Sequence, residues 1–210
     1  LQNLTLEKKS SNDIVSSDSM WVSRSTMQNL SCIVVDSFGN YNGVIVDGYQ
    51  QGLWQYFYAN KNLKAKVNFI NGNGSNSLET NDIPISGRNG IFYYWHENGQ
   101  LATELNYQNG LIQGIGKGWH ENGQLSAEAN HKNGEVDGQY REWYENGQQF
   151  SEVSYKNGEL DGPFKSWHEN GQLELEGSYK NGELDGQFIE RNKKGIIIVN
   201  KEYENGNEIN

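Results

Sequence analysis

The strongest constraint on this chain is a phrase that it repeats. Trp167-His168-Glu169-Asn170-Gly171-Gln172-Leu173 has variants beginning at Trp95, Trp119 and Trp143, each 24 residues from the next. A second phrase keeps the same period. Tyr155-Lys156-Asn157-Gly158-Glu159-Leu160-Asp161-Gly162 recurs from Tyr179 and, loosened, from Tyr107, His131 and Tyr203. Self-similarity at a fixed period marks a repeat architecture, in which each repeat buries its apolar side by stacking on its neighbours.

Each repeat carries two Asn-Gly pairs, such as Asn157-Gly158 and Asn170-Gly171. Asn-Gly between alternating runs is the strongest short-range hairpin signal, because a type I′ turn needs positive φ at both central residues. The sequence therefore predicts an all-β fold: an elongated, single-layer antiparallel meander of 24-residue β-hairpin repeats, open like a solenoid. Two-residue turns are expected at Asn98-Gly99, Asn122-Gly123, Asn146-Gly147 and Asn170-Gly171. That register sets Glu169 opposite Gln172 and Lys165 opposite Glu176. It also sets Arg141 opposite Glu152 and Lys117 opposite Glu128, and opposite charges facing across strands stabilise a sheet. A one-residue slip would destroy all three charge pairs and exchange the faces. One face then collects Leu160, Phe164, Leu173, Leu175, Tyr179, Leu184 and Phe188, with His168 beside the turn. The other collects Lys165, Glu174, Glu176, Ser178 and Trp167. Successive strand segments, Glu159 to Glu169 and Gln172 to Lys180, differ in length by two residues. That excess requires a bulge near Asp161-Gly162 or a stagger between repeats.

Outside the repeats the pattern weakens. Residues 1–50 read as a polar, Ser-rich leader followed by a capping hairpin. In it Leu4 and Leu6 alternate with polar residues, and the runs Ser31 to Val35 and Val44 to Val46 flank Phe38-Gly39-Asn40. Residues 51–89 read as a worn repeat, Gly52 to Gly72, plus an insertion within Asn73 to Arg88 expected to be a surface loop. Residues 90–210 form the array, whose last copy decays: Arg191 stands for Trp and Lys193-Lys194-Gly195 for Glu-Asn-Gly. Atypical terminal repeats are what the ends of a stack require.

Composition bounds the function. The 210 residues carry a net charge of −10, and only 34% are hydrophobic. An acidic chain without a basic stripe is not expected to bind nucleic acid. A lone cysteine, Cys32, builds no disulfide framework, and no run is long and apolar enough for a membrane helix. The chain begins at Leu1 without an initiator Met and is rich in Asn, Ser and Gly. These features favour a processed, secreted or surface protein, with a cytoplasmic one as the alternative. The sequons at Asn3, Asn29 and Asn73 matter only in a secretory pathway.

No catalytic constellation emerges, and no cofactor is expected. His96, His120 and His168 share one repeat position with Tyr144. Adjacent repeats lie about 9–10 Å apart, too far for ligands that must each approach one zinc ion to about 2 Å. His131, alone in a Tyr position, is expected to be packed. Glu104, Glu128, Glu152 and Glu176 recur identically, so no pair is singled out as an acid and a base. The glycines mark turns, not a phosphate cradle. The tryptophans remain. They recur on the charged face, where sheet burial does not demand them, and Trp is prominent among binding hot spots. Shielding of the sheet by indoles lying flat across Lys and Glu stems is the bland alternative. The expected partner face is therefore Trp95, Trp119, Trp143 and Trp167 with Lys117, Arg141 and Lys165, and no metal site is expected.

The phrase Trp-His/Tyr-Glu-Asn-Gly-Gln followed by Tyr-Lys-Asn-Gly-Glu-Leu-Asp-Gly resembles the bacterial MORN-repeat variant, strongly from Gly90 to Gly206 and weakly from Gly52 to Gly72. The resemblance implies a sheet of hairpins that binds other molecules instead of catalysing a reaction. Some bacterial members look like antitoxins encoded beside toxins, and other MORN proteins are scaffolds. The expected function is a non-catalytic scaffold that binds another protein, such as a toxin, through its sheet. The alternatives are a structural protein that self-assembles through its sheet edges, or a carbohydrate- or lipid-binding module.

Overall fold

The computed structural model describes residues 7–10, 14–17, 20–23, 32–35, 41–72 and 83–209, and none of these is helical. The expected all-β antiparallel hairpin array is present. The chain forms two compact units. The first holds Leu1–Gln100 and Asn106–Leu111, the second Leu101–Leu105 and Ile112–Asn210.

The first unit begins with β1 (Glu7–Ser10), β2 (Ile14–Ser17), β3 (Met20–Ser23) and β4 (Cys32–Val35). It continues with β5 (Tyr41–Val46), β6 (Tyr49–Phe57), β7 (Leu63–Gly72) and β8 (Gly90–Trp95). The predicted leader thus contains strands. β1 runs parallel to β4, and β2 pairs with β3 as a hairpin. Parallel pairing of segments far apart in the chain leaves no local signal, since it uses no tight turn. In the region where a capping hairpin is expected, β4 pairs antiparallel with β5, and β5 in turn pairs with β6 of the worn repeat β6–β7. Leu4, Leu6, Phe38-Gly39-Asn40 and the sequons at Asn3, Asn29 and Asn73 lie outside the described residues.

The core of the first unit is deep: Val34, Ile45, Trp54, Ala65, Val67, Phe69 and Phe92 are buried. The end of the insertion belongs to it, contrary to the surface loop expected there. Arg88, only 2% exposed, donates from Nε to the Pro84 carbonyl, from Nη2 to that of Ile83 and from Nη1 to the Tyr107 hydroxyl, at 2.8–2.9 Å. Its guanidinium lies 4.3 Å from the Phe92 ring centre. Among the described residues these carbonyls and rings take the place of a carboxylate, so a buried charge is satisfied by hydrogen bonds and aromatic faces.

β9 (Leu101–Gln108) and β10 (Leu111–Ile112) have residues in both units. The second unit then runs through β11 (Gly114–Trp119), β12 (Leu125–Lys132), β13 (Glu135–Trp143), β14 (Gln149–Lys156) and β15 (Glu159–Trp167). It ends with β16 (Leu173–Lys180), β17 (Glu183–Leu184), β18 (Gly186–Arg191), β19 (Ile197–Glu204) and β20 (Asn207–Ile209). From β11 to β16 each strand pairs antiparallel with its successor. The short β17 and β18 together partner β16, and β18, β19 and β20 complete the run.

The two Asn-Gly pairs of a repeat make different turns. At Asn157-Gly158 both residues have positive φ, 50° and 81°, and Lys156 faces Glu159. This is the two-residue turn that the sequence predicts. At Asn170-Gly171 only Gly171 has positive φ. The His168 N–H donates to the Gln172 carbonyl at 2.8 Å, and the Gly171 N–H to the His168 carbonyl at 2.7 Å. The loop is therefore three residues long, with glycine as its left-handed bulge, and Glu169 does not face Gln172. Asn98-Gly99, Asn122-Gly123 and Asn146-Gly147 repeat this pattern of bonds.

The expected register nevertheless holds further along. Trp167 faces Leu173 but Ser166 faces Leu175, so Glu174 is an extra residue that absorbs the odd loop. Beyond that bulge Lys165 faces Glu176, and equally Arg141 faces Glu152 and Lys117 faces Glu128. The two-residue excess resolves as the expected bulge. Tyr155 faces Leu160 while Val153 faces Phe164, setting Ser154 against Asp161, Gly162 and Pro163. Gly162 sits there at φ +110°, a conformation that L side chains rarely adopt.

The bulge beside the loop also corrects one face assignment. Facing residues point the same way, so Leu173 joins Trp167 and leaves the apolar set. Leu175 stays opposite to Trp167, as expected. The apolar side is built from ring contacts: Phe164 to Tyr179 at 4.9 Å, Phe164 to Phe188 at 6.3 Å and Tyr140 to Tyr155 at 6.2 Å. Most side chains of β12 to β16 are half-buried, as a single layer dictates; Ala129 and Phe164 are among the few apolar ones that reach full burial.

Candidate functional site

Trp95, Trp119, Trp143 and Trp167 each close a strand, and one residue, His or Tyr, separates each from its three-residue loop. Trp95 belongs to the first unit, where its ring tilts against Tyr93 at 5.7 Å; the other three belong to the second. All four are half-buried, so none is a core side chain. In the second unit Trp119 faces Leu125, Trp143 faces Gln149 and Trp167 faces Leu173. The polar side of this sheet therefore carries a row of indoles alternating with Leu, Gln and Leu.

Two residues inward runs a charge ladder in register: Glu104, Lys117, Glu128, Arg141, Glu152, Lys165, Glu176. Lys117 and Arg141 both reach Glu128, at 3.7 and 3.8 Å, and Arg141 also reaches Glu152 at 3.5 Å. The ladder then breaks. Arg191, the residue in the tryptophan position of the last copy, takes Glu176 at 2.6 Å. Lys165 lies beside Glu176 in register but forms no ion pair among the described residues, so the expected salt bridge is replaced by one to Arg191. Pairs this exposed contribute about 0–1 kcal/mol each and serve mainly to set the charge pattern of the face.

The histidines and the loop asparagines have a role that sequence reasoning missed. Nε2 of His120 donates to the Trp143 carbonyl at 2.8 Å, and Nε2 of His168 to that of Arg191 at 2.9 Å. In the copy between, the Tyr144 hydroxyl donates to the Trp167 carbonyl at 2.9 Å. Within the first unit the Tyr58 hydroxyl does the same for the Trp95 carbonyl at 2.6 Å. Each such residue thus ties its own loop to the next repeat. The loop asparagine adds a second tie: Nδ2 of Asn122, Asn146 and Asn170 donates to the carbonyls of Glu145, Glu169 and Lys193. Its Oδ1 meanwhile accepts from the backbone two residues on. The signal was present in the sequence, since a position filled by either His or Tyr calls for a hydrogen-bond donor at similar reach. His131 lies elsewhere, packed against Gly116, with Nδ1 buried and lacking a hydrogen-bond partner among the described residues.

An open recess of about 390 Å³ lies on the tryptophan side, lined by Gln148, Gln149, Trp167, Asn170 and Gly171. No lining residue is charged. Asn170 is fully engaged by the ties just described. Gln149 donates from Nε2 to Glu152 at 3.2 Å and to the Ser151 carbonyl at 3.4 Å, which leaves its Oε1 as an acceptor. The Gln148 side-chain amide makes no hydrogen bond among the described residues. A smaller hollow of about 170 Å³, lined by Gln139, Glu152, Pro163, Phe164 and Lys165, lies further along the same strands, and the Gln139 Oε1 is buried with no donor among the described residues. Among the described residues no three His, Cys, Asp or Glu come together in a way that could hold a metal ion. Among the described residues no helix is long and apolar enough to cross a membrane.

A family described as MORN repeat variant matches the chain at residues 50–71, 88–109, 112–133, 136–157 and 160–181, together just over half of its length. The first of these is the worn repeat β6–β7. No curated protein matches the chain.

Proposed function

Because the chain belongs to the MORN repeat variant family, whose repeats are generally non-catalytic and often mediate binding, we propose that it is a non-catalytic scaffold that docks a macromolecular partner on the tryptophan side of its sheet. The observation that carries this reading is the arrangement of that side: indoles at one repeat position, half-buried, with a recess beside Trp167 in which the Gln148 amide is unengaged among the described residues and Gln149 keeps its Oε1 as an acceptor. In the second unit Trp119, Trp143 and Trp167 are the anchors, and Lys117, Arg141 and Lys165 tune the partner's charge; Trp95 is the corresponding anchor of the first unit, taken by itself. Of these cations Lys165 is exposed and carries no ion pair among the described residues, so it contributes most to such tuning. The opposite side serves the sheet itself, because its rings pack against one another from repeat to repeat.

The occupants this side can be tested against are a protein such as a toxin, a second copy of the chain, and a glycan. The test compares capture of partners from cells of the source organism by the wild type, by Trp119→Ala with Trp143→Ala, and by Tyr155→Ala on the opposite side, after circular dichroism has shown each to be folded. Loss of capture in the tryptophan variant with retention in Tyr155→Ala is the expected result. The reverse pattern moves the docking surface to the other side.

A further inference from the structure

We infer that the recess beside Trp167 is a subsite for an extended, uncharged glycan lying across the strands of the second unit. This rests on the docking side proposed above and names its ligand. The first observation is spacing. Trp119, Trp143 and Trp167 close β11, β13 and β15, every second strand of an antiparallel run. At about 4.7–4.9 Å per strand the indoles recur roughly every 9.5 Å. That is close to the length of a disaccharide in an extended β-linked glycan, in which alternate rings turn the same way. Every second ring can thus lay its apolar C–H face on an indole.

The second observation is chemistry. The position facing the tryptophan holds Leu125 and Leu173 in the neighbouring repeats but Gln149 in this one. Between Trp143 and Trp167 the row therefore changes from apolar to amide. Gln149 keeps an acceptor, and the Gln148 amide keeps both a donor and an acceptor. A sugar hydroxyl donates and accepts at once, as an amide does, so the two are matched. An anionic ligand would meet no cation in this recess, since none of its five lining residues is charged. The platform ends at Arg191, which is engaged by Glu176. Three indoles in this unit accommodate a ligand of about five rings at that spacing.

The probes are the β-1,4-linked hexasaccharides of glucose and of N-acetylglucosamine, with their disaccharides, titrated calorimetrically into the full chain. At least one hexasaccharide is expected to bind, about tenfold or more tighter than its disaccharide. Gln149→Leu, which installs the residue the neighbouring repeats already carry, is expected to melt with the wild type and to bind about tenfold more weakly. Trp167→Ala is expected to lose about thirtyfold. The inference is overturned if neither hexasaccharide binds, if length makes no difference, or if both variants bind as the wild type does. Should no glycan bind while Trp167→Ala still abolishes capture of a protein partner, the docking side stands and the glycan falls.

Discussion

Replacing His168 by Phe isolates the tie between successive repeats. His168 is 9% exposed, and its Nε2 donates to the Arg191 carbonyl at 2.9 Å. Phenylalanine keeps a ring of similar size in that position but has no donor, so the carbonyl loses its partner. A neutral hydrogen bond contributes about 0.5–1.5 kcal/mol net, and an orphaned buried group costs about 1–3 kcal/mol. Here the carbonyl stands at the end of β18, where water has some access, so about 1 kcal/mol is expected. For a protein of this size that lowers the melting temperature by about 2–4 °C. The decisive comparison is His168→Tyr. Tyr144 fills the same position one repeat earlier and reaches the Trp167 carbonyl at 2.9 Å with its hydroxyl. Tyrosine should therefore restore the tie that phenylalanine loses. His168 Nδ1 also lies 3.5 Å from Glu174, but both variants lose that contact, so it cancels between them. Thermal unfolding of the two variants, followed by circular dichroism, reads the difference of one hydroxyl. If the Phe and Tyr variants melt together, the tie contributes nothing and the position is filled for its shape alone.

Other consequences are as direct. Asn157→Gly should change stability by no more than about 0.5 kcal/mol, because glycine tolerates φ 50°, whereas Asn170→Gly should cost about 1–2 kcal/mol by losing bonds at both ends of its amide; chemical denaturation of both checks this. Gly162→Ala forces φ +110° on a side chain whose Cβ would lie 3.0 Å from that of Ser154, and a loss of about 1–3 kcal/mol is expected in the same assay. Arg191→Gln should cost under about 1 kcal/mol and the loss should shrink with added salt, while Lys165→Gln should leave the denaturation midpoint unchanged. Burial first, and then Glu142, which accepts the Tyr140 hydrogen bond at 2.9 Å, push the Tyr140 phenol up to about 12 from its ordinary 10.0. A folded-state value raised above the unfolded one gives stability that is complete below pH 10 and declines as pH rises towards 12, which unfolding across that range would register.

Much of the repeat array is legible because its signals are local. The Tyr-Lys-Asn-Gly-Glu phrase specifies a two-residue turn, and Asp161-Gly162 marks the bulge that unequal strands demand. The Glu-Asn-Gly-Gln loop is deceptive, since Asn-Gly also suits a three-residue loop in which only glycine needs positive φ. The charge pairs cannot expose this, because the extra residue at Glu174 restores the register before Glu176 is reached. Leu173 falls on the wrong face in a two-residue reading for the same reason. The buried Arg88 and the parallel β1–β4 pairing are not legible at all: Arg88 is held by carbonyls of its own irregular segment and by Tyr107 from another strand, β1 and β4 are far apart in the chain, and neither arrangement leaves a periodic trace. At the candidate site the tryptophans are evident from their spacing. Gln148 and Gln149 are not, although Gln149 departs from the leucine of its neighbours, and that departure is the signal that could have found them.

Whether the indole row or the opposite aromatic side meets the ligand can be read in one experiment. Hydroxyl-radical footprinting of the full chain, free and with the captured partner or hexasaccharide bound, reports on both sides at once. Oxidation of Trp119, Trp143 and Trp167 should fall together on binding while that of Tyr155, Tyr179 and Phe188 stays constant. Protection of Tyr155, Tyr179 and Phe188 with unchanged tryptophans would contradict a docking surface on the indole row.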